Sequence, residues 1–233
     1  MGRASLDQRE VGQYPASVAR LALIAGSSLR GEEFPAGDWE VLQRHGEATG
    51  YVLPDRIDHV ANLRALASAG CDRVLAIGSV GGLRPELGPG TFVCPDDFIA
   101  LDAQPQTALD GADAHRVAGF DRDWRAAVMA AFRRADVDLR DGGTYWQSNG
   151  PRLETPAEVR LIARHADLVG MTIGSECVAA SDLGLRYAAV CVVDNLANGV
   201  GESELDLAEL EANRAANRDR LEAALAVALP ALD

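Results

Sequence analysis

Short apolar runs alternate along the chain with stretches whose apolar residues recur at helical spacing. Strand-like runs lie at residues 21–25, 73–77, 91–94, 144–147, 168–172 and 187–193. Amphipathic stretches predict helices at residues 58–69, 123–135, 156–166, 175–183 and 205–229. Because strands and helices alternate, we expect an α/β fold: one domain over residues 1–233, with a central mixed, largely parallel β-sheet flanked by helices.

Local signals at the segment ends support this assignment. Thr155, Pro156 and Glu158 form the start signature of a helix, with a capping hydroxyl, a proline at the first helical position and a glutamate that completes a capping box. Residues 104–121 are polar and irregular, which predicts a surface loop.

Small, polar or glycine-rich residues follow the predicted strands. They are Gly26-Ser27-Ser28, the segment 78–82, Met171-Thr172 and Asp194-Asn195. In α/β folds, ligands bind where the carboxyl ends of the strands meet. The pattern therefore predicts one common ligand site at this edge of the sheet.

The charge of the chain limits its chemistry. The formal net charge is −13, and all 22 basic residues are arginines. The absence of lysine excludes a Schiff base, a lysine nucleophile and a phosphate-loop lysine. The acidic balance disfavours nucleic acid as a partner. A small anion would have to be bound by arginine, histidine, hydroxyl groups or backbone N–H groups.

The remaining composition predicts a cytoplasmic protein that is not bound to a membrane. The four cysteines form no CxxC pair and lie in apolar or helical stretches, so buried free thiols are favoured over disulfides. Residues 1–14 do not have the pattern of a signal peptide, and no apolar run approaches a membrane span. The four histidines have no metal-ligand spacing, so we expect no metal.

Two groups of residues offer chemistry suited to a small anionic and heterocyclic ligand. Ser27 and the Arg44-His45 pair could bind a phosphate, although each alone is more typical of a turn or a surface charge. Glu154 is not explained by helix capping, and Asn195 offers both a donor and an acceptor to a heterocycle. The alternative interpretation of the Asp194-Asn195 pair is the start of a loop.

These residues carry a resemblance that extends over most of the chain, about residues 21–195. The chain resembles the purine nucleoside phosphorylase and methylthioadenosine phosphorylase family, in its trimeric branch. The matching stretches, in the order of the family, are LALIAGSSL, RHG, DHVANLRAL, RVLAIGSVGGLRPELGPGTFVCPDDFI, NGPRLETPAEVRLI, DLVGMTIGSE and LGLRYAAVCVVDN.

The resemblance implies phosphate-dependent cleavage of a nucleoside, giving a free base and ribose 1-phosphate. It implies inorganic phosphate as co-substrate, no cofactor, and catalytic roles for Asn195, Glu154 and His45. The implied phosphate-binding residues are Ser27, Arg44, His45, Ser79 and Thr172. The implied nucleoside-binding residues are Tyr145, Leu153, Glu154, Met171 and Asn195.

The implied base pocket favours a 6-oxopurine, that is, guanine or hypoxanthine. An ionised Glu154 can accept from the N1–H of a 6-oxopurine, whereas adenine has no hydrogen there. In the methylthioadenosine branch of the family, an aspartate resembles the position of Asn195 and a small hydroxyl residue replaces the glutamate. A shift of one residue would put Asp194 at this selector position instead.

The sequence departs from the family pattern on the sugar side. The segment between Ser27 and Arg44 is shorter than in typical members, and we expect a strand or loop to be missing there. The second histidine that often follows His45 is absent, and Tyr51 could serve the ribose. Residues of the final helix would determine the 5′ group; the candidates are Leu207, Leu210, Asn213, Arg214 and Asn217.

Three hypotheses for the function therefore stay open. The first is a 6-oxopurine nucleoside phosphorylase of purine salvage. The second is a phosphorylase for a 5′-modified nucleoside, of the methylthioinosine or methylthioadenosine type, or a variant in specialised metabolism. The third is a binding or regulatory protein without turnover, which the retained phosphate set disfavours. The resemblance also implies a homotrimer or dimer of trimers, with His115 or Phe120 reaching the neighbouring site.

Overall fold

The computed structural model describes residues 20–46, 50–201 and 207–232. Within these ranges the strands are β1 (Arg20–Ala25), β2 (Trp39–Gln43), β3 (Cys71–Gly82), β4 (Phe92–Cys94), β5 (Asp97–Ile99), β6 (Leu139–Asp141), β7 (Thr144–Gln147), β8 (Leu168–Gly170) and β9 (Arg186–Leu196). The helices are α1 (His59–Ser68), α2 (Arg122–Arg134), α3 (Pro156–Ile162), α4 (Ile173–Asp182) and α5 (Leu207–Leu232). The sequence prediction for residues 1–14 and the predicted helix start at 205 lie outside the described residues.

The strands form one mixed sheet, in which β3 and β9 are the long central pair. The order β5-β7-β8-β3-β9-β4-β6 describes the main path, and β1 pairs with both β2 and β3. The β3–β8 and β4–β9 pairs are antiparallel, and the other pairs are parallel. The predicted mixed, largely parallel α/β fold is therefore confirmed.

Helices cover both faces of the sheet because side chains along each strand point alternately to opposite sides. On β3, Leu75 and Ile77 join a buried apolar cluster that includes residues of α2 and α5. Val74 and Ala76 join the opposite cluster, which includes residues of α1 and α4. This arrangement fixes the strand ends between two packed layers.

The helices begin where side chains satisfy their free N–H groups. Asp58 accepts from the backbone N–H of Ala61 before α1, and Asp121 accepts from that of Trp124 before α2. The predicted capping box at the start of α3 is confirmed, with both of its hydrogen bonds present. The four cysteines are buried and free, as predicted.

Several predicted boundaries are wrong, and the main differences concern the site. The predicted loop at residues 78–82 is the last part of β3, and β9 continues through Asn195 to Leu196, because the two strands pair along nearly their whole length. No strand was predicted between Ser27 and Arg44, but this segment contains β2, which is parallel to β1. The expectation that a strand or loop of the family is missing there stays a prediction. The three-residue strands β5 and β6 are too short for a period to reveal them.

None of the helices in the described ranges is long and apolar enough to cross a bilayer. In the same ranges, no group of three or more His, Cys, Asp or Glu side chains is arranged to hold a metal ion.

Candidate active site

A cavity of about 210 Å³ lies where β1, β2, β3, β8 and β9 end or continue into loops. It contains all of the predicted site residues except Tyr145, and they are Ser27, Arg44, His45, Ser79, Leu153, Glu154, Met171, Thr172 and Asn195. Residues far apart in the sequence thus meet in one cavity at the end of the sheet that the strand pattern predicted.

Arg44 forms a deeply buried part of the cavity wall. Its side chain is almost fully inaccessible, yet it keeps its charge because it pairs with the carboxylate of Glu176. Nη2 of Arg44 lies 2.9 Å from Oε2 of Glu176, Nε donates to Oε1, and Nη1 donates to the carbonyl oxygen of Ile77 at 2.8 Å. Burial disfavours the charged guanidinium, but Glu176 outweighs it and holds the pKa of Arg44 above its ordinary value.

The backbone beside Arg44 approaches it closely. A Cβ atom at Gly26 would lie 2.5 Å from the carbonyl oxygen of Ile77 and 3.0 Å from Nη1 of Arg44. Only glycine therefore fits between β1 and the guanidinium. Close packing therefore explains the glycine in the Gly26-Ser27 turn. The same turn places Ser27 at the cavity.

The ring of His45 is held in a defined orientation. Its Nδ1 lies 2.9 Å from the carbonyl oxygen of Val52, which can only accept, so Nδ1 carries the proton and Nε2 is an acceptor. Burial lowers the pKa of His45 below its ordinary value. The ring also stacks on Tyr51 at 4.8 Å, and both side chains line the cavity.

A second carboxylate lies behind the cavity wall. Asp194 is 1% exposed and accepts hydrogen bonds from the hydroxyl of Ser79 and, at 2.8 Å, from Nδ2 of Asn217. Nε of Arg214 lies 3.4 Å from Oδ2 of Asp194. Since the hydroxyl hydrogen of Ser79 is directed to Asp194, Ser79 offers the cavity its oxygen lone pairs rather than a donor.

An irregularity in β9 determines which of Asp194 and Asn195 faces the cavity. The register against β3 shifts, so that Val80 pairs with Val193 and Gly81 with Asn195. Asp194 is the extra residue of this bulge, and a bulge redirects the side chains on either side of it. Asn195 lines the cavity, while Asp194 points to α5 and is not part of the wall.

Glu154 reaches the cavity from the loop before α3. Its Oε1 atom is buried and has no hydrogen-bond partner, whereas its backbone oxygen accepts from Nδ2 of Asn198 at 2.8 Å. Asn195, in the same wall, donates from Nδ2 to the carbonyl oxygen of Leu196 at 2.7 Å. A buried acceptor without a partner is costly unless a ligand donates to it.

Tyr145 was predicted to lie beside the nucleoside, but its side chain does not line the cavity. The side chain is 1% exposed and lies in the core beneath α4. Its hydroxyl oxygen accepts from the backbone N–H groups of Thr172 and Ile173 at 3.2 and 3.4 Å. Tyr145 therefore supports the segment that carries Thr172 and Met171 from below.

The residues suggested for a neighbouring subunit lie outside the cavity. His115 is exposed and follows a short 3₁₀ turn, Gly111–Ala114. Phe120 packs against Phe98 and Tyr187, with ring centroids 6.2 and 5.9 Å apart, and so belongs to the core of its own chain.

Of the residues suggested on the final helix, Arg214 lines the cavity. Leu210 is buried, Asn217 is bonded to Asp194 and Val193, and Asn213 does not line the wall. The side chain of Leu207 lies outside the described residues.

Glu176 and its partner Tyr187 are the residues that sequence reasoning missed. Glu176 is 1% exposed, and the hydroxyl of Tyr187 donates to its Oε2 at 2.7 Å. The available signal was a glutamate in the first turn of α4, next to apolar and small residues, because a buried carboxylate requires a partner.

Comparison with known proteins identifies the family. The family model described as the phosphorylase superfamily matches residues 20–229. A 6-oxopurine nucleoside phosphorylase of Pyrococcus furiosus is 35% identical over 188 residues, which cover 75% of this chain and 71% of the relative. A probable 6-oxopurine nucleoside phosphorylase of Archaeoglobus fulgidus is 40% identical over 174 residues, covering 74% and 71% of the two chains.

Relatives that are named for another substrate also match. A probable S-methyl-5′-thioinosine phosphorylase of Xanthomonas campestris is 38% identical over 181 residues, covering 74% of this chain and 72% of the relative. Among solved structures, methylthioadenosine phosphorylase from Schistosoma mansoni with adenine has a TM-score of 0.78, 22% identity and 91% coverage of both chains, which supports the fold alone. The chain therefore belongs to the phosphorylase superfamily and, within it, to the purine nucleoside phosphorylase and methylthioadenosine phosphorylase family.

Proposed function

We propose that this protein is a purine nucleoside phosphorylase that cleaves the N-glycosidic bond of a 6-oxopurine nucleoside with inorganic phosphate. The products are the free base and ribose 1-phosphate. The observation that carries the proposal is the buried, unpartnered Oε1 of Glu154 in the same cavity as Asn195. A 6-oxopurine supplies the N1–H that this oxygen lacks, and adenine does not.

Asn195 acts on the leaving base. When the bond between C1′ and N9 breaks, its electron pair moves onto the purine, and negative charge develops at N7 and O6. A donor at this position stabilises that charge in the transition state. The purine anion then takes up a proton from solvent and leaves as the free base. One N–H of the Asn195 carboxamide is bonded to the carbonyl oxygen of Leu196, which leaves its second N–H for the base.

The nucleophile binds at the opposite end of the cavity. Arg44 has two N–H groups that are not used by Glu176 or Ile77, and Thr172 and Ser27 add hydroxyl groups. The acceptor Nε2 of neutral His45 suits a phosphate oxygen that carries a proton. A different phosphate oxygen forms the new bond to C1′, and inorganic phosphate is the co-substrate; no cofactor is needed.

The second candidate is a phosphorylase for 5′-methylthioinosine, the substrate named for some of the relatives. Arg214 is the described residue of α5 that lines the cavity, and its guanidinium donates hydrogen bonds but offers no apolar pocket. If the 5′ group faces this helix, as the family resemblance implies, an oxygen substituent is favoured over a methylthio group. Comparing kcat/KM for inosine and 5′-methylthioinosine separates the two, since one changed pocket contact is worth ~10- to 200-fold.

The proposal extends to assembly and location. We expect a homotrimer or a dimer of trimers in the cytoplasm, as the family resemblance and the predicted free thiols suggest. Sedimentation of the purified protein tests the assembly, and a monomer at micromolar concentration would overturn it.

Release of base from inosine, guanosine and adenosine in phosphate buffer tests the substrate class. The proposal predicts rapid release of hypoxanthine and guanine and slow release of adenine. A preference for adenosine would contradict the role given to Glu154. Binding of inosine without any release of base would instead support the binding-protein hypothesis.

A further inference from the structure

The guanidinium of Arg44 is mostly engaged before any ligand arrives. Three of its five N–H groups are used, two by the carboxylate of Glu176 and one by the carbonyl oxygen of Ile77. One N–H on Nη1 and one on Nη2 are left. The orientation of these two donors in the cavity is therefore determined by how Glu176 holds the other side of the group.

Glu176 is itself held from three elements. It lies in the first turn of α4, the hydroxyl of Tyr187 on β9 donates to its Oε2 at 2.7 Å, and Nδ1 of His59 on α1 lies 3.8 Å from its Oε1. The carboxylate does not line the cavity. Glu176 therefore does not touch a ligand in this cavity and acts on it through Arg44.

The pair also determines the charge at this end of the cavity. Arg44 and Glu176 are both buried and close, so their charges largely cancel, and the free N–H groups offer hydrogen bonds without a surplus positive charge. If the carboxylate were neutral, the buried guanidinium would lack a counterion. A bound phosphate would then become that counterion and would be held more tightly.

Tighter binding of the phosphate does not help the reaction. As its oxygen bonds to C1′, the phosphate loses negative charge, so a surplus cation stabilises the ground state more than the transition state. Interactions that are stronger in the ground state raise the barrier. We propose that Glu176 is a positioning residue, which fixes the two free donors of Arg44 and cancels its charge so that phosphate is bound in a reactive state. This inference rests on the proposed function.

Replacing Glu176 with glutamine tests it, because the amide keeps the shape and one acceptor but removes the charge. The expected result for inosine phosphorolysis is a kcat at least ~10-fold lower, with a lower KM for phosphate. Glu176→Asp, which keeps the charge, should retain a wild-type KM for phosphate with a partial loss of kcat.

The matched control is Asp182→Asn. Asp182 is a buried carboxylate at the other end of α4, bonded to the hydroxyl of Thr107 and the backbone N–H of Ala108, and it does not line the cavity. It should lose thermal stability while kcat and KM of the folded protein stay within about twofold of wild type.

Two outcomes would overturn the inference. One is a folded Glu176→Gln variant that behaves like Asp182→Asn, with only its stability lowered. The other is an equal or raised KM for phosphate in Glu176→Gln, because loss of the carboxylate would then not have tightened phosphate binding. If Glu176→Gln does not fold, kcat and the KM for phosphate of Glu176→Asp and Tyr187→Phe test the inference instead. A reduced kcat with an unchanged KM supports it. An unchanged kcat in both variants overturns it.

Calorimetry with inorganic phosphate separates this inference from the proposed function. If the wild type releases no base from inosine, the proposed function fails. Tighter phosphate binding by Glu176→Gln than by wild type would still support the charge-cancelling role, and equal or weaker binding would overturn it.

Discussion

The two ends of the cavity differ in whether their polar side chains already have partners in the protein when no ligand is bound. At the phosphate end, Arg44 is 3% exposed and is bonded to Glu176 and Ile77, so the site is built into the core. At the base end, Glu154 projects from a loop with a buried oxygen that has no partner, and the carboxamide of Asn195 donates to the carbonyl oxygen of its chain neighbour, Leu196.

This difference has an energetic consequence. The ion pair at the phosphate end is part of what holds β2, α4 and β9 together, so breaking it should harm both folding and activity. The unpartnered group at the base end costs the free protein stability and is compensated only by a ligand. A substitution there should harm activity while leaving stability unchanged or improved.

The largest effect is expected for Arg44→Met. It leaves the carboxylate of Glu176 buried without a counterion, which should cost about 3–5 kcal/mol of unfolding free energy. Phosphorolysis should fall by ~10³-fold or more, because the main phosphate donor is lost. Urea denaturation and kcat/KM for phosphate measure the two effects.

Arg186→Met is the control for that substitution. Arg186 pairs with Asp72 at the exposed end of β9. Its removal should change stability by less than about 1 kcal/mol and leave catalysis unaffected. Equal stability losses in the two variants would contradict the contrast between the buried and exposed pairs.

Glu154→Gln should separate activity from stability at the base end. Loss of the charged acceptor should lower kcat/KM for inosine by ~10- to 100-fold, the worth of a hydrogen bond to a charged group. The melting temperature should stay the same or rise. A clear drop in melting temperature would show that Glu154 has a structural partner. Both ends of the cavity would then contribute to the stability of the free protein.

A smaller change is expected for Asn195→Asp. A carboxylate cannot donate to O6 but can accept from a 6-amino group, so the ratio of kcat/KM for adenosine to that for inosine should rise by ~10-fold. Unchanged base preference would shift the selector role to Glu154 alone. Because Asp194 faces α5, Asp194→Asn should leave this ratio unchanged.

The pH dependence of stability should report on the phosphate end. Burial lowers the pKa of both His45 and His59 in the folded state. Below about pH 6.5 the unfolded chain therefore binds more protons than the folded one, and stability should fall as the pH decreases, by about 1.4 kcal/mol for each unit of pKa shift. Arg44 lowers the pKa of Glu176 despite its burial, so a further loss should follow at pH values below the ordinary range of a glutamate.

Urea denaturation between pH 5 and pH 8 measures this dependence. His59→Asn should flatten the curve, whereas His165→Asn, at an exposed position, should not. If the unfolding free energy of the wild type does not change with pH around 6.5, folding does not lower the pKa of either histidine, and this prediction is contradicted.

Sequence reasoning identified the cavity residues because each lies in a short, distinctive segment. The Gly26-Ser27 turn, the Arg44-His45 pair and the loop with Glu154 could be recognised without knowing what they touch. Tyr145 was misplaced because it is close in sequence to that loop, whereas the pleat of β7 directs its side chain into the core.

What lies behind the cavity could not be read from the chain. The pairing of Arg44 with Glu176 joins residues 132 positions apart, and the bulge at Asp194 depends on the register between β3 and β9. Both are decided by tertiary packing rather than by a local pattern. The strand β2 was missed for the same reason, since only its pairing with β1 identifies it.

The central claim is that one end of the cavity delivers phosphate to a 6-oxopurine nucleoside bound at the other end. Incubation of the purified protein with inosine, with and without inorganic phosphate, tests it most directly when both hypoxanthine and the sugar product are quantified. The account predicts hypoxanthine and ribose 1-phosphate in equal amounts, and no release of base without phosphate. Release of free ribose, or release of base that does not depend on phosphate, would contradict it.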